Sequence, residues 1–222
     1  KLVKEKIENI KKKKKTPILV GGTGLYFKAL TDGLVSIPNI PSRFRQDVRF
    51  LHKKIGSKKF FLRLVKLDPL TKGIINPSDT QRVIRAFEVK SFTKKSIYSW
   101  FRDTQSEFEK KDFFKIYIDY PRSRLINRIN IRAVKMIENG AIPEVRKFIN
   151  LKVPRSNTAS KAIGIDEIRN YLNKKITKLD VIEKISIKTR QYAKRQTTWG
   201  RGNMLDWNKI DSDALSKFLK KI

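Results

Sequence analysis

Hydrophobic residues recur with two periods along this chain, and the alternation of the two periods predicts an α/β fold. Three short apolar runs predict strands over residues 17–21, 113–119 and 204–210. Elsewhere apolar residues recur every three to four positions, which predicts helices over 1–14, 24–33, 43–54, 58–66, 78–92, 94–101, 121–140, 143–151, 157–173 and 178–199. A last helix is predicted after the third strand.

The predicted helices between 43 and 101 have almost no strand signal among them. Pro38 and Pro41 break the pattern just before this region, as in a hinge. We therefore expect an α/β core over residues 1–36 and 111–222 that carries an all-helical insertion over residues 37–110.

A glycine turn follows the first predicted strand and precedes a helix. It consists of Gly21, Gly22, Thr23 and Gly24. In open α/β sheets such turns bring backbone N–H groups and hydroxyls to the carboxyl edge of the sheet, where ligands bind. The chain contains no complete Gly-x-x-x-x-Gly-Lys-Ser/Thr phosphate loop, so the turn alone does not identify the ligand.

The charge of the chain narrows the choice of partner. It has 52 Lys and Arg against 21 Asp and Glu, a net charge of +31. Such a field attracts polyanions and favours nucleic acid as the partner, although an A/T-biased genome would also enrich lysine. With no cysteine and a single histidine, His52, disulfides, Cys-based zinc sites and Ser-His triads are not expected. No apolar run is long enough to cross a membrane, and we expect a cytoplasmic monomer.

The first patterned group of basic residues lies on the helix that follows Pro77. Asp79 or Ser78 is its expected N-cap, and Gln81, Arg82, Arg85 and Glu88 share one face. Two guanidiniums and an amide on one face suit phosphates and a base edge. The same spacing also describes a surface helix with an Arg85–Glu88 ion pair.

Two further helices carry basic rows. Arg124, Arg128 and Arg132 recur every fourth residue after the second predicted strand, where they point toward a ligand site or form a solvated stripe. Arg190, Lys194 and Arg195 form a ridge on the long helix near the C-terminus. Three apolar side chains are spaced for its opposite face: Ile185, Tyr192 and Trp199.

Taken together and in order, these segments resemble the tRNA dimethylallyltransferase family. The resembling residues span nearly the whole chain: Pro17–Leu30, Ile40–Val48, Asp68 with Asn76–Val89, Thr93–Phe101, Arg124–Val145, Ser160–Ile168 and Arg190–Trp199. The resemblance implies a P-loop-like parallel-sheet core with a helical insertion that grips the anticodon stem-loop. It also implies transfer of a dimethylallyl group from dimethylallyl diphosphate to N6 of the adenosine next to the anticodon, which requires that the base be flipped out of its stack.

The resemblance assigns roles to individual residues. Thr23 and Arg45 match tRNA-contacting positions, and Thr23 lies near the target base. Arg132 matches an arginine that stabilises the leaving diphosphate, assisted by Arg190, Lys194 and Arg195. The remaining tRNA contacts that it implies are Gln81, Arg82, Val83, Ile84, Arg85, Lys161 and Gly164.

The chain departs from the family pattern in two respects. The family's phosphate loop, with its Mg²⁺ ligands, and the Asp-Ser segment with the general base have no counterpart in residues 1–222. We therefore expect that the first βα unit is missing, that any Mg²⁺ is held outside these residues, and that the chain is an inactive fragment. Ile165 also stands where the family usually has Tyr.

Two alternative functions remain open at this point. A non-catalytic RNA-binding protein would account for the charge, but not for the glycine turn or Arg132. A small-molecule or nucleotide kinase would share the core type, but it would not need Gln81 or Arg82.

Overall fold

The computed structural model describes residues 2–155 and 157–220 of the chain. The chain divides into two units: a sheet unit, residues 1–24 and 114–222, and a helical unit, residues 25–113. The domain limits expected from the sequence, 36/37 and 110/111, stay a prediction. Residue 1 of the first predicted helix lies outside the described residues.

In its described residues the helical unit has four α-helices and two short 3₁₀ helices, Pro69–Thr71 and Lys110–Asp112. The α-helices are α2 (Gly24–Thr31), whose first residue belongs to the sheet unit, α3 (Ser42–Leu67), α4 (Thr80–Thr93) and α5 (Ile97–Arg102). The range α3 consists of two helical segments that meet at Gly56, whose φ of 78° and ψ of 161° are not helical, so the predicted break between helices 43–54 and 58–66 is confirmed. Asp79 caps α4 as expected, because its side chain accepts a hydrogen bond from the Arg82 N–H.

The core of the helical unit lies between α3 and α4. Phe60 and Leu64 of α3 are fully buried, as are Val83 and Val89 of α4. The rings of Phe60 and Phe87 lie 4.7 Å apart between centroids, within the range of favourable aromatic pairs. This packing fixes the side chains of the two helices relative to each other.

The sheet unit contains the remaining helices and two strands. Its elements are α1 (Leu2–Lys12), β1 (Ile116–Asp119), α6 (Arg122–Glu138), α7 (Ala141–Asn150), α8 (Ile165–Leu172), α9 (Lys178–Asn203), β2 (Asn208–Asp211) and α10 (Leu215–Leu219). The two strands are parallel, and Ile116 is paired with Asn208 and Asp119 with Asp211. The fold is thus α/β, mostly helical with a small parallel sheet. The strand predicted at 113–119 is confirmed in shorter form, and the strand predicted at 204–210 is confirmed with its start moved to Asn208 and its end to Asp211.

The core of the sheet unit lies between helices α6 to α9. Ile168, Val181 and Ile185 are buried there together with Ala133 and Ile137. Among the described residues, no helix combines the length and the apolar character needed to cross a membrane.

The buried strand predicted at 17–21 is wrong. These residues have no regular secondary structure, and Ile18 and Val20 are 79% and 90% exposed. A strand is stabilised by hydrogen bonds to a neighbouring strand. In the described part of the chain the sheet consists of β1 and β2, which pair with each other, so the apolar run has no strand beside it.

Candidate nucleic-acid and diphosphate sites

The glycine turn of the sheet unit lies against α9. A Cβ added to Gly24 would lie 2.0 Å from the ring of Trp199, and one added to Gly22 would lie 2.5 Å from the Gln196 side-chain nitrogen. The flexible end of Gln196 can move aside, whereas the half-buried indole of Trp199 is harder to displace. Thr23 is exposed between these two close approaches. The turn therefore presents a hydroxyl to solvent from a backbone that is held tightly against α9.

The basic ridge of α9 remains accessible. Lys194 and Arg195 are exposed and Arg190 is half-buried. The Arg195 guanidinium lies 5.6 Å from the ring centre of Tyr192, a cation–π arrangement. Tyr192, which the spacing places on the apolar face, is in fact exposed and lies beside Arg195.

The structure divides the arginine row of α6 into two kinds of residue. Arg124 donates to both carboxylate oxygens of Asp213 at 2.7 Å, and these bonds raise its pKa. Arg128 and Arg132 instead line an open groove of about 380 Å³, together with Lys135, Ile131, Met136 and Asn139. Arg124 is therefore occupied by a structural contact, and Arg132 faces a cavity with two other cations.

Within residues 161–167, Gly164, Ile165 and Glu167 are buried and the other four are exposed. Gly164 is buried with a φ of 108°, and the position that its Cβ would take lies 3.5 Å from Met136 and 3.6 Å from Ile185. Lys161 is exposed. Ile165 is buried in the core of the sheet unit, so an apolar residue suits this position.

Sequence reasoning missed Glu167, which holds this segment in place. Its side chain is buried, accepts a 3.0 Å hydrogen bond from the Gly164 N–H and pairs with Lys188 of α9. Burial by itself would raise the pKa of Glu167, but the hydrogen bonds from Lys188 and the backbone outweigh it and lower the pKa. The signal in the sequence was an acidic residue three positions after a glycine at a helix start.

The helical unit contains the other group of candidate residues. Gln81 and Arg82 are exposed on the first turn of α4, with Arg82 3.1 Å from Asp79. Val83 is only 1% exposed, so its side chain belongs to the core, and Ile84 is half-buried. The side chain of Arg85 lies 3.5 Å from Glu88.

Glu88 differs from the expectation that it shares the exposed face of α4. It is buried against α3, where its carboxylate also lies 3.9 Å from Arg49. Sequence reasoning missed Arg49, although it lies one helical turn after Arg45 on the same helix.

Comparison with known proteins identifies the family. Residues 1–203 match the family model described as IPP transferase. The chain belongs to this family. The match covers the glycine turn, helices α3 and α4 with their arginines, the α6 groove and the whole of α9.

Several named relatives of the chain are tRNA dimethylallyltransferases. It is 54% identical to that of Pelagibacter ubique over 98% of this chain and 70% of the relative. It is 43% identical to that of Rickettsia massiliae over 93% of this chain and 57% of the relative.

Solved structures of the same kind of enzyme share the fold. One, a eukaryotic dimethylallyltransferase described as acting on tRNA, matches 97% of this chain and 56% of its own with a TM-score of 0.72 and 26% identity. The tRNA isopentenylpyrophosphate transferase of Bacillus halodurans matches 95% of this chain and 64% of its own with a TM-score of 0.57 and 30% identity.

The Mg²⁺ expected for a member of the IPP transferase family finds no fit in the described part of the chain. No group of three or more His, Cys, Asp or Glu side chains there could hold a metal ion. Mg²⁺ prefers carboxylate and water oxygens in near-octahedral geometry. None of the described residues is therefore assigned as a ligand of the ion.

Proposed function

We propose that the protein containing this chain transfers a dimethylallyl group from dimethylallyl diphosphate to N6 of the adenosine next to the anticodon of tRNA. The observation that carries the proposal is the 54% identity to the Pelagibacter ubique tRNA dimethylallyltransferase over 98% of this chain. The net charge of +31 suits an RNA substrate. The expected monomeric state and cytoplasmic location belong to the same proposal.

The reaction forms one bond and breaks another. The N6 nitrogen bonds to the first carbon of the dimethylallyl group, the carbon–oxygen bond to diphosphate breaks, and N6 loses a proton. Diphosphate leaves with the bonding electron pair, so negative charge grows on its oxygens during the reaction. Preorganised cations at that point stabilise the transition state.

The groove on α6 has the chemistry that such a donor needs. Arg128, Arg132 and Lys135 supply positive charge, while Ile131 and Met136 supply apolar surface beside it. A ligand that joins a diphosphate to a short hydrocarbon chain matches both parts. In this proposal Arg132 stabilises the leaving diphosphate, and the ridge of Arg190, Lys194 and Arg195 assists in anion binding.

The RNA contacts of the proposal lie in both units. In the helical unit, which we propose as the tRNA-binding insertion, Arg45, Gln81, Arg82 and Arg85 contact the anticodon stem-loop. In the sheet unit the exposed Thr23 contacts the RNA near the flipped adenine, and Lys161 and Gly164 provide a further contact segment.

A transfer assay tests the proposed activity. The protein that contains this chain is purified and incubated with radiolabelled dimethylallyl diphosphate and an anticodon stem-loop that carries adenosine next to the anticodon. We expect label on N6, located by mass spectrometry of the nucleosides, and none on a matched stem-loop with inosine, which lacks the N6 amine. Tight binding without transfer would support a non-catalytic RNA-binding protein instead.

The role of Arg132 is tested with a matched variant of the same helix. Arg132→Gln is expected to slow transfer by about 10²–10³-fold, the usual cost of removing one transition-state donor. Arg122→Gln removes the same charge from an exposed position at the start of α6 and should transfer at close to the unmodified rate. Equal rates for the two variants would contradict the assignment.

A further inference from the structure

One buried carboxylate of the helical unit joins arginines from two helices. The side chain of Glu88 on α4 is only 4% exposed. One of its oxygens lies 3.5 Å from Nη1 of Arg85, one turn earlier on α4, and the other lies 3.9 Å from Nε of Arg49 on α3. Two residues that are 36 positions apart in the sequence thus face the same anion.

The group formed by Glu88, Arg49 and Arg85 has a net positive charge. Glu88 contributes one negative charge against two positive charges, so a net positive charge remains at the surface. The side chains of Arg49 and Arg85 are 68% and 38% exposed. Arg85 donates a long 3.5 Å hydrogen bond to Glu88, whereas Arg49 approaches the carboxylate as an ion pair beyond hydrogen-bond distance. Since each guanidinium has five N–H donors, most of them remain available to a second anion.

Arg45 adds an independent sign of an anion site. It lies one turn before Arg49 on α3, and its Nε atom is buried without a hydrogen-bond partner among the described residues. A buried N–H donor without an acceptor is destabilising, and an anion at this position would satisfy it. The unpaired donor and the excess charge therefore occur within one turn of each other.

We propose that Glu88 is a positioning residue that fixes Arg49 and Arg85 as a clamp for a backbone phosphate of RNA, and that Arg49 is an RNA contact. Planar guanidiniums held in a fixed orientation bind phosphate oxygens with two parallel hydrogen bonds, which a mobile surface side chain does less well. This inference rests on the proposed function, because it takes the anticodon stem-loop as the ligand.

Arg49→Gln tests the predicted contact. We expect its affinity for the anticodon stem-loop to fall by about tenfold, as for loss of a charge-assisted hydrogen bond. The negative slope of log K against log salt should become shallower by about one. Arg63→Gln is the matched control, since Arg63 is an exposed arginine of α3 beyond the kink. Arg49→Gln that binds like Arg63→Gln would overturn the contact.

Glu88→Gln tests the positioning role through the sign of its effect. Removing a negative charge from an RNA-binding surface normally strengthens binding, and Asp47→Asn, at an exposed position of α3, should do so slightly. We expect Glu88→Gln to weaken binding and to lower the salt slope, because two arginines lose their orientation. Binding as tight as the unmodified protein, with an unchanged slope, would overturn the positioning role.

A double-mutant cycle separates positioning from general destabilisation. Affinities are measured below the melting temperature of every variant. If Glu88 acts through the arginines, Glu88→Gln has no further effect on affinity once Arg49 and Arg85 are both Gln. An additive loss would mean that Glu88 only supports the fold and would overturn the proposal.

The result is distinguishable from failure of the proposed function. Absence of prenyl transfer by the unmodified protein contradicts the proposed activity and leaves the binding comparison intact. Absence of stem-loop binding by the unmodified protein overturns the clamp as well.

Discussion

The candidate site of the helical unit is built from residues on neighbouring helical turns, whereas the glycine turn of the sheet unit depends on residues that are distant in the sequence. In the helical unit, Arg49 of α3 and Arg85 of α4 lie on two helices that pack around one core. The buried carboxylate of Glu88 lies close to both arginines. In the sheet unit the turn at Gly22 and Gly24 meets Gln196 and Trp199, more than 170 positions later in the chain. A site built from neighbouring helical turns depends on local pattern, whereas a site built from distant segments depends on the whole fold.

The largest expected effect concerns the core that supports the arginine face. Leu64→Ala should lower the free energy of unfolding by about 2–5 kcal/mol, because it leaves a cavity at a fully buried position. Leu62→Ala, at an exposed position of the same helix, should change it by less than about 0.5 kcal/mol. Urea unfolding measures both, and similar losses would mean that α3 does not separate core and surface as described.

The next prediction tests the close approach of Gly24 to the ring of Trp199 in the sheet unit. Gly24→Ala should destabilise by about 1–3 kcal/mol, since the new methyl group meets the Trp199 ring. Gly202→Ala in α9 has open space at its Cβ and should be neutral or stabilising by up to about 1 kcal/mol. Thermal unfolding of the two variants compares them, and a harmless Gly24→Ala would contradict the contact with Trp199.

An effect of similar size concerns Glu167 and pH. Its lowered pKa means that its ion pair and hydrogen bonds add stability above the unfolded pKa of about 4.3, and that this stability is lost as pH falls through the folded pKa. Glu167→Gln should cost about 1–3 kcal/mol at neutral pH and should flatten the decline of stability in acid.

The control for Glu167 is an exposed glutamate of α9. Glu183→Gln should leave the pH dependence of unfolding close to that of the unmodified protein. Equal pH profiles for the two variants would show that the buried pair with Lys188 contributes nothing specific.

The smallest effect concerns the surface ion pair of α6. Arg124→Gln breaks an exposed pair with Asp213 and should lower stability only slightly, and less at high salt. Unfolding at low and high salt measures it. A loss as large as that of Glu167→Gln would place Arg124 among the groups on which the fold depends.

The sequence predicted most of the helical unit because its signals are local. The periodicity of α3 and α4 and the capping residue Asp79 each act within a few residues. Burial of Glu88 escaped prediction, since it depends on the partner helix that supplies Arg49.

In the sheet unit, prediction failed where the signal required a distant partner. The apolar run at Ile18 and Val20 has the composition of a buried strand, but composition does not supply the neighbouring strand that would bury it. Glu167 likewise gave only a weak local signal, because its partner Lys188 comes from another helix.

The kink at Gly56 also determines where residues could be inserted into α3 without disturbing its contacts with α4. One residue added to an α-helix turns everything beyond it by about 100°. An insertion between Arg49 and Phe60 would therefore swing either the clamp or the aromatic pair with Phe87 away from α4, unless the kink absorbed it. Residues inserted into α3 should accordingly leave the fold intact only at the kink itself, where the backbone already departs from helical geometry.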